Sequence, residues 1–451
     1  MQNISYQNKH AQIVAKTLQA NGHEAFYAGG CVRDLLLDRK PKDYDIATSA
    51  LPNEIEKLFD KTNNIGKKYG TIIVQIYDSY VEVTTFRSDG NYVDGRHPKD
   101  ITFSSAKLDV HRRDFTINGL FMNPNTLEII DYVGGQKDLK KRIIQSIGDP
   151  DIRFNEDYLR MLRAVRFVHT LNFDFESNTF NSIKRNAEKI LKISPERIEN
   201  ELSRILIESK KPGDALQTLH DTGLLKYMLP EVEKLIGVNQ PPNYHPEGDV
   251  FTHVKLMLNL SRNSKICSSF TKRELVYSVL FHDISKPEMY MEEKQDDGSI
   301  RIRFIGHEKK GAEVTNKILS RLKVSRKEKN KIVDVIANHM LPFQSKQMKL
   351  STLKKMMGSP NFNLLLELHR LDGLGSKGLL ETFEFLEMKK KEYSNETILP
   401  KCFLSGDDLI NMNITDGLQI RKILDEIYKL QLDEIILSNK EAKEWVKQKY
   451  C

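Results

Sequence analysis

The sequence predicts an α+β protein: a small head with a mixed, mainly antiparallel sheet, followed by a long all-helical body. Three observations predict it. Strand-like segments crowd residues 1–142, the strand signal nearly vanishes from about residue 143, and helical periodicity then runs to the end. Pro and Gly break that periodicity at 212–213, 230, 241–248 and 398–406. The chain has 451 residues, enough for about three domains with a real core.

The elements follow in order. Ile13, Val14 and Leu18 recur at helical spacing and the pattern ends at Asn21-Gly22, so residues 8–21 read as a helix. "EAFYAGG" reads as a strand entering a turn, and "CVRDLLL" starts a helix. "KDYDIAT" and "TIIVQIY" read as strands; "YVEVTTFR" alternates strictly, as a half-buried strand does. "ITFSSA" and "EIIDYV" complete the strand set. There is no internal repeat and no low-complexity linker.

Composition narrows the class. Hydrophobic residues make up 39%, and no apolar run reaches the roughly 18 residues of a membrane helix. "MQNISYQNKHAQ" has no apolar signal region. Cys31, Cys267, Cys402 and Cys451 have neither framework nor zinc spacing. The expectation is a cytoplasmic protein with reduced thiols and no membrane contact. The net charge of +7 is compatible with an anionic partner without demanding one. The basic stretch 307–331 reads first as a solvated helix face, and second as a phosphate-backbone surface.

The stretch "FYAGGCVRDLLLDRKPKDYDIA" (26–47) carries chemistry. Gly29 and Gly30 let backbone approach an anion, and Arg33 adds a donor fork suited to phosphate. Asp43 and Asp45 lie two apart in a strand-like segment, so their carboxylates face the same way. Two carboxylates on one face are relieved by a bridging cation such as Mg²⁺ on a triphosphate. Glu82 alternates to the same kind of position and is a candidate third carboxylate.

These residues resemble the nucleotidyltransferase head of bacterial class II tRNA CCA-adding enzymes and their relatives, the bacterial poly(A) polymerases. "YGTIIVQI" and "VEVTTFRSDGNYVDGRHP" (81–98) are similar to the family's sheet and flexible loop, and "RRDFTINGLFMNP" (112–124) to its ribose-recognition motif. "DYVGGQKDLKKRIIQSIGDP" (131–150) resembles the head–neck hinge, and "FNEDYLRMLRAVRF" (154–167) the base-recognition helix. The resemblance implies a polymerase-β-like head at 1–142, a helical neck at 143–230, a metal-dependent phosphohydrolase domain at 231–375 and a helical tail at 376–451. It implies two Mg²⁺ ions held by Asp43 and Asp45, with CTP and ATP as substrates and tRNA as primer. Arg112, Arg113, Asp114 and Asn118 would contact ribose or phosphate; a structural Arg113–Asp114 ion pair is the alternative. Asp157 and Arg160, at i and i+3 on one helix face, would read the base edge, with Arg163 and Arg166 held more loosely.

A second pattern occupies the body: His253, then His282-Asp283 in "LFHDISKP", His307, His339 and Asp372. Imidazole with carboxylate suits a divalent metal such as Mg²⁺, Mn²⁺, Ni²⁺ or Fe. The set resembles the HD superfamily of phosphohydrolases, in which Lys286 would contact phosphate. It implies removal of cyclic or terminal phosphate from RNA ends; a degenerate scaffold is the alternative. His97, His111, His169, His220, His245 and His369 are left as structural.

Two departures stand out. Val110-His111 occupies the place where relatives often show a carboxylate-leucine pair, and "ITDGLQ" replaces the tail's usual Pro-Gly-Pro turn. Alternatives for the whole are a CC-adding-only or A-adding-only enzyme, a poly(A) polymerase, or an HD phosphohydrolase with an inactive head. Either a monomer or a homodimer is expected.

Overall fold

The computed structural model describes residues 8–90, 100–395 and 397–450. The "NYVDGRHPK" part of the expected flexible loop, with His97, lies outside them. The chain divides into two units, Met1–Pro230 and Glu231–Cys451.

The first unit opens with the helix Lys9–Ala20, whose Asn8 side chain accepts from the free amides of His10 and Ala11. Its strands are β1 (Ala25–Ala28), β2 (Asp45–Thr48), β3 (Thr62–Asn63), β4 (Thr71–Ile76), β5 (Ser79–Thr85), β6 (Arg87–Asp89), β7 (Ile101–Phe103), β8 (Leu120–Met122) and β9 (Ile129–Asp131). The main sheet runs β3-β4-β5-β2-β1-β8-β9, with β6 and β7 forming a separate ladder. Its pairs are antiparallel except β2–β5, where Ile46 faces Val83 in parallel register. Side chains alternate across a strand, so one residue earlier Asp45 and Glu82 point away from that buried pair.

Phe26, Phe86 and Phe121 pack with ring centroids 6.0–6.2 Å apart and anchor the head core with Ala28, Ala47 and Val110. The expected base-recognition helix is broken. Pro150–Glu156 ends at Asp157, and a second helix, Leu159–Leu171, begins after it. Asp157 has extended backbone (φ −147°, ψ 105°) and its side chain accepts from the Leu159 amide at 3.1 Å. It is therefore a helix-breaking cap, not an i,i+3 neighbour of Arg160 on one helix.

In the second unit, Asp249 caps Val250–Ser261, and Thr271 with Glu274 forms a capping box on Lys272–Phe281. The helices His307–Arg321, Arg326–Asn338 and Phe362–Gly375 complete the framework that holds the histidines. A hairpin, Met291–Lys294 with Ile300–Arg303, interrupts the expected all-helical run. In "ITDGLQ", Asp416 accepts from the amides of Leu418 and Gln419, so a helix cap stands where a Pro-Gly-Pro turn was expected. Among the described residues no helix is long and apolar enough to cross a membrane.

Candidate functional site

A cleft of about 430 Å³ opens on the head sheet, lined by Ala28, Asp45, Glu82, Arg87, Arg112 and Arg113 among others. Asp45 stands at the start of β2 and Asp43 just before the strand. Desolvation in the cleft, then the charges of Glu82 and Asp43, raise the Asp45 carboxyl to about 6, against a smaller lowering by Arg113. Glu82 is raised too, by desolvation and by Asp43. Three carboxylates thus share one field that a cation would relieve.

The basic wall opposite depends on Asp109, which sequence reasoning missed. Its side chain is 1% exposed and accepts from Arg112 Nε at 2.8 Å and from Arg113 Nε and Nη2 at 3.1 and 3.0 Å. The signal was available: a carboxylate three and four residues before two arginines is a helical-turn clamp. Asp109-Val110 is itself a carboxylate–aliphatic pair, one residue before Val110-His111. Arg113 also lies 4.8 Å from the Phe121 ring centroid. Gly29 adopts φ +71°, and a Cβ there would lie 3.1 Å from Arg113 Nη1, so only glycine fits comfortably.

The remaining expected contacts are already engaged. Asp114 accepts from the Phe115 amide, Asn118 Nδ2 and two Arg163 nitrogens, the last at 2.6 and 2.9 Å. Burial pushes its carboxyl up, but Arg163 and Asn118 outweigh that and hold it well below the usual range. The Arg113–Asp114 alternative fails: Arg113 pairs with Asp109, and Asp114 with Arg163. Arg33 is buried, donating to Asn118 Oδ1 at 2.8 Å and pairing with Asp34, while Gly30 lies at the start of the same helix. Arg160 donates to Glu156 and to the carbonyls of Arg153 and Arg112; Asp157 accepts from Arg197. Arg166 is buried against Glu201 at 2.7 Å, facing the neck rather than the cleft. Arg33, Arg163 and Arg166 all lie over Phe167, at 5.1, 5.4 and 4.3 Å.

The second unit brings six expected residues together. Asp283 Oδ2 lies 3.1 Å from His282 Nε2, and its Oδ1 lies 3.4 and 3.9 Å from the Nε2 atoms of His307 and His339. His253 Nε2 lies 3.2 Å from Asp372. His282, His307 and His339 each turn Nδ1 to a backbone carbonyl, of Val279, Phe304 and Ile336. In the neutral rings Nδ1–H is then the donor and Nε2 the lone pair. The His307 and His339 Nε2 atoms therefore face each other as acceptors at 3.1 Å, with no proton between them. The buried Nε2 atoms of His253 and His282 have no hydrogen-bond partner. Lone pairs converging on carboxylates are a donor set for a cation.

The electrostatics agree at His339 and Asp283 and differ at His253, where in the absence of a cation a proton sits between Nε2 and Asp372. Burial pulls His253 down, but Asp372 and Glu247 outweigh it and raise the imidazole to about 9. Burial and His282 push His339 down to about 3. Asp283 is held well below the carboxylate range, because His282 and Lys286 outweigh its burial. His245, left as structural, shares a carboxylate with the centre: Glu247 Oε1 lies 2.8 Å from His245 Nδ1 and 2.7 Å from His253 Nδ1. Glu247 was also missed, because a carboxylate six residues before a histidine has no helical signature.

Comparison with known proteins gives the first unit a family. The model of the poly A polymerase head domain matches residues 25–145, and that of a probable RNA- and SrmB-binding site of polymerase A matches 172–236. The CCA-adding enzyme of Geobacillus thermodenitrificans is 45% identical over 222 residues, 49% of this chain and 54% of that protein. The match thus spans about half the length of such curated relatives. The CCA-adding enzyme of Limosilactobacillus reuteri is 37% identical over 284 residues, 61% of this chain and 69% of that protein. The crystal structure of the Bacillus stearothermophilus CCA-adding enzyme in complex with CTP superposes with a TM-score of 0.70 at 27% identity, covering 98% of this chain and 99% of that one. On these matches the chain belongs to the CCA-adding enzyme family.

Proposed function

We propose that the chain is a template-independent tRNA nucleotidyltransferase that adds CCA, or part of it, to tRNA 3′ ends from CTP and ATP, releasing pyrophosphate. The observation that carries this reading is the head cleft. Three mutually repelling carboxylates, Asp43, Asp45 and Glu82, stand opposite two guanidiniums fixed by Asp109. An acidic pole beside a basic wall is what a metal–triphosphate complex requires. The hard carboxylate oxygens would hold Mg²⁺, which when bound lowers the primer hydroxyl pKa and offsets charge on the leaving pyrophosphate.

The chain's own residues do the rest. Arg112 and Arg113 donate to phosphate oxygens from a preset orientation, and Gly29 lets backbone come close beside them. Asp114, Asn118 and Arg33 form a buried brace that holds Arg163 on the neck helix. Base choice by Asp157 and Arg160 requires an exchange of partners: Asp157 leaves Arg197, and Arg160 leaves Glu156. The test is incorporation of CTP and ATP, separately and together, on tRNA ending before CCA, after C and after CC. Full CCA on the bare end supports the complete activity. Stalling after CC, or use of the CC end alone, gives a partial enzyme; long ATP-only tails without tRNA preference give a poly(A) polymerase; no incorporation overturns the reading.

A second reading rests on the unpartnered imidazole nitrogens of the other unit. His253, His282, Asp283, His307, His339 and Asp372 would hold a divalent metal such as Mn²⁺, Ni²⁺, Fe or Mg²⁺. With Lys286 beside Asp283, such a centre suits hydrolysis of a phosphate ester on an RNA end or nucleotide. Titration of the purified protein with Mn²⁺ tests it, and the absence of saturable binding overturns it.

A further inference from the structure

We propose that Gln240 is a substrate-contacting residue beside the histidine–aspartate centre, extending into a phosphoryl-binding wall the phosphate contact that the resemblance already implies for Lys286. This rests on the second reading above.

Gln240 is 4% exposed and Lys286 6% exposed. Lys286 Nζ donates to Gln240 Oε1 at 2.7 Å and lies 2.7 Å from Asp283 Oδ2. An ammonium only donates, so it fixes the amide with oxygen inward and NH₂ away from it. The Gln240 Nε2 so oriented has no hydrogen-bond partner, although it is buried. An unsatisfied buried amide is costly, so its retention points to a ligand that supplies the acceptor.

The loop that carries Gln240 is held in place. The Gly237 amide donates to Asp249 Oδ2 at 2.6 Å, and the Val250 amide donates to the Val238 carbonyl at 3.1 Å, closing the loop at its base. Further along, Glu247 fastens it to His245 and His253. The Phe304 ring lies 5.1 Å from Lys286 Nζ and shields it on one side. The result is an ammonium next to Asp283, the aspartate shared by three of the centre's histidines, and beyond Oε1 two buried amide hydrogens without an acceptor, donors only. That chemistry selects an anion with several acceptor oxygens: the non-bridging oxygens of a phosphate ester. A neutral hydroxyl would leave donors unmet.

The test uses the full-length protein loaded with Mn²⁺, with inorganic phosphate as probe and ³¹P relaxation as readout. Wild type should broaden the phosphate signal saturably. Gln240→Leu should weaken phosphate binding about tenfold or more and lower the melting temperature, because the buried Lys286 ammonium loses its Oε1 acceptor, while Mn²⁺ affinity stays at the wild-type value. Gln240→Glu, which sets a carboxylate where the NH₂ stood, should exclude phosphate altogether. Unchanged phosphate affinity in both variants overturns the proposal; failure of wild type to take up Mn²⁺ overturns the metal reading beneath it instead. Competition by a mononucleotide, or by a short RNA with a 3′-phosphate, then assigns the source of the phosphate. Competition by either supports the wall, and competition by neither overturns it.

Discussion

The head cleft and the histidine–aspartate centre assemble charge in opposite ways. The cleft is open, its acids are exposed, and their mutual repulsion is left standing until a cation arrives. The second centre is buried, and its ligand-type atoms are already close. Among the described residues, all groups of three whose donor atoms lie within 4.8 Å of one another belong to the second unit. An open cleft suits ions that arrive with a substrate and leave with a product. A closed donor set suits an ion that stays.

The largest test of that contrast is at Asp45. Asp45→Asn is expected to cut nucleotide incorporation about 10³-fold or more, while raising the melting temperature of the metal-free protein, because one member of the repelling set is gone. Loss of activity together with loss of stability would place Asp45 in the framework instead. Incorporation assays and thermal unfolding in chelator read both.

Next is His282. His282→Ala should weaken Mn²⁺ binding about 100-fold, measured by calorimetry, and leave CTP and ATP incorporation unchanged. If incorporation falls in parallel, the two sites are not independent.

Asp109→Asn should have a smaller effect. It retains the shape but removes the charge that orients Arg112 and Arg113. KM for the nucleotide is expected to rise about tenfold and stability to fall by about 2–3 kcal/mol, the cost of leaving buried cations short of their partner. A change in kcat alone would argue against a role in holding phosphate.

The smallest concerns His169, which donates to or accepts from Thr218 Oγ1 at 2.8 Å and is pushed by burial from 6.5 to about 4. The unfolded chain takes up this proton first, so stability is present above pH 6.5 and is lost as pH falls from there toward 4. His169→Gln should shift the acid-unfolding midpoint to lower pH; no shift would show that other groups govern it.

Much of this was legible in the residues. Strand β5 declared itself by alternation, and the Gly-Gly turn with its paired aspartates by local chemistry. Strand β8 did not, because Leu120, Phe121 and Met122 are all buried and leave no period to read. The hairpin at 291–303 hid among charges that face solvent. At the sites, residue types and order were enough to nominate ligands, but not to say which arginine meets which acid. In one dimension Arg33 looks like a phosphate donor and Arg166 like a further nucleotide contact; in three both are buried braces.

The three histidines that anchor Nδ1 on main-chain carbonyls carry a consequence for how this protein can change over time. Val279, Phe304 and Ile336 orient metal-type nitrogens through an atom that every amino acid possesses. Their side chains are thus open to substitution within the limits of packing, with no loss of tautomer. Only His253 depends on a partner's side chain, Glu247. Drift in the surrounding sequence should therefore erode the centre first at that one imidazole, while the other three keep their aim for as long as the helices stand.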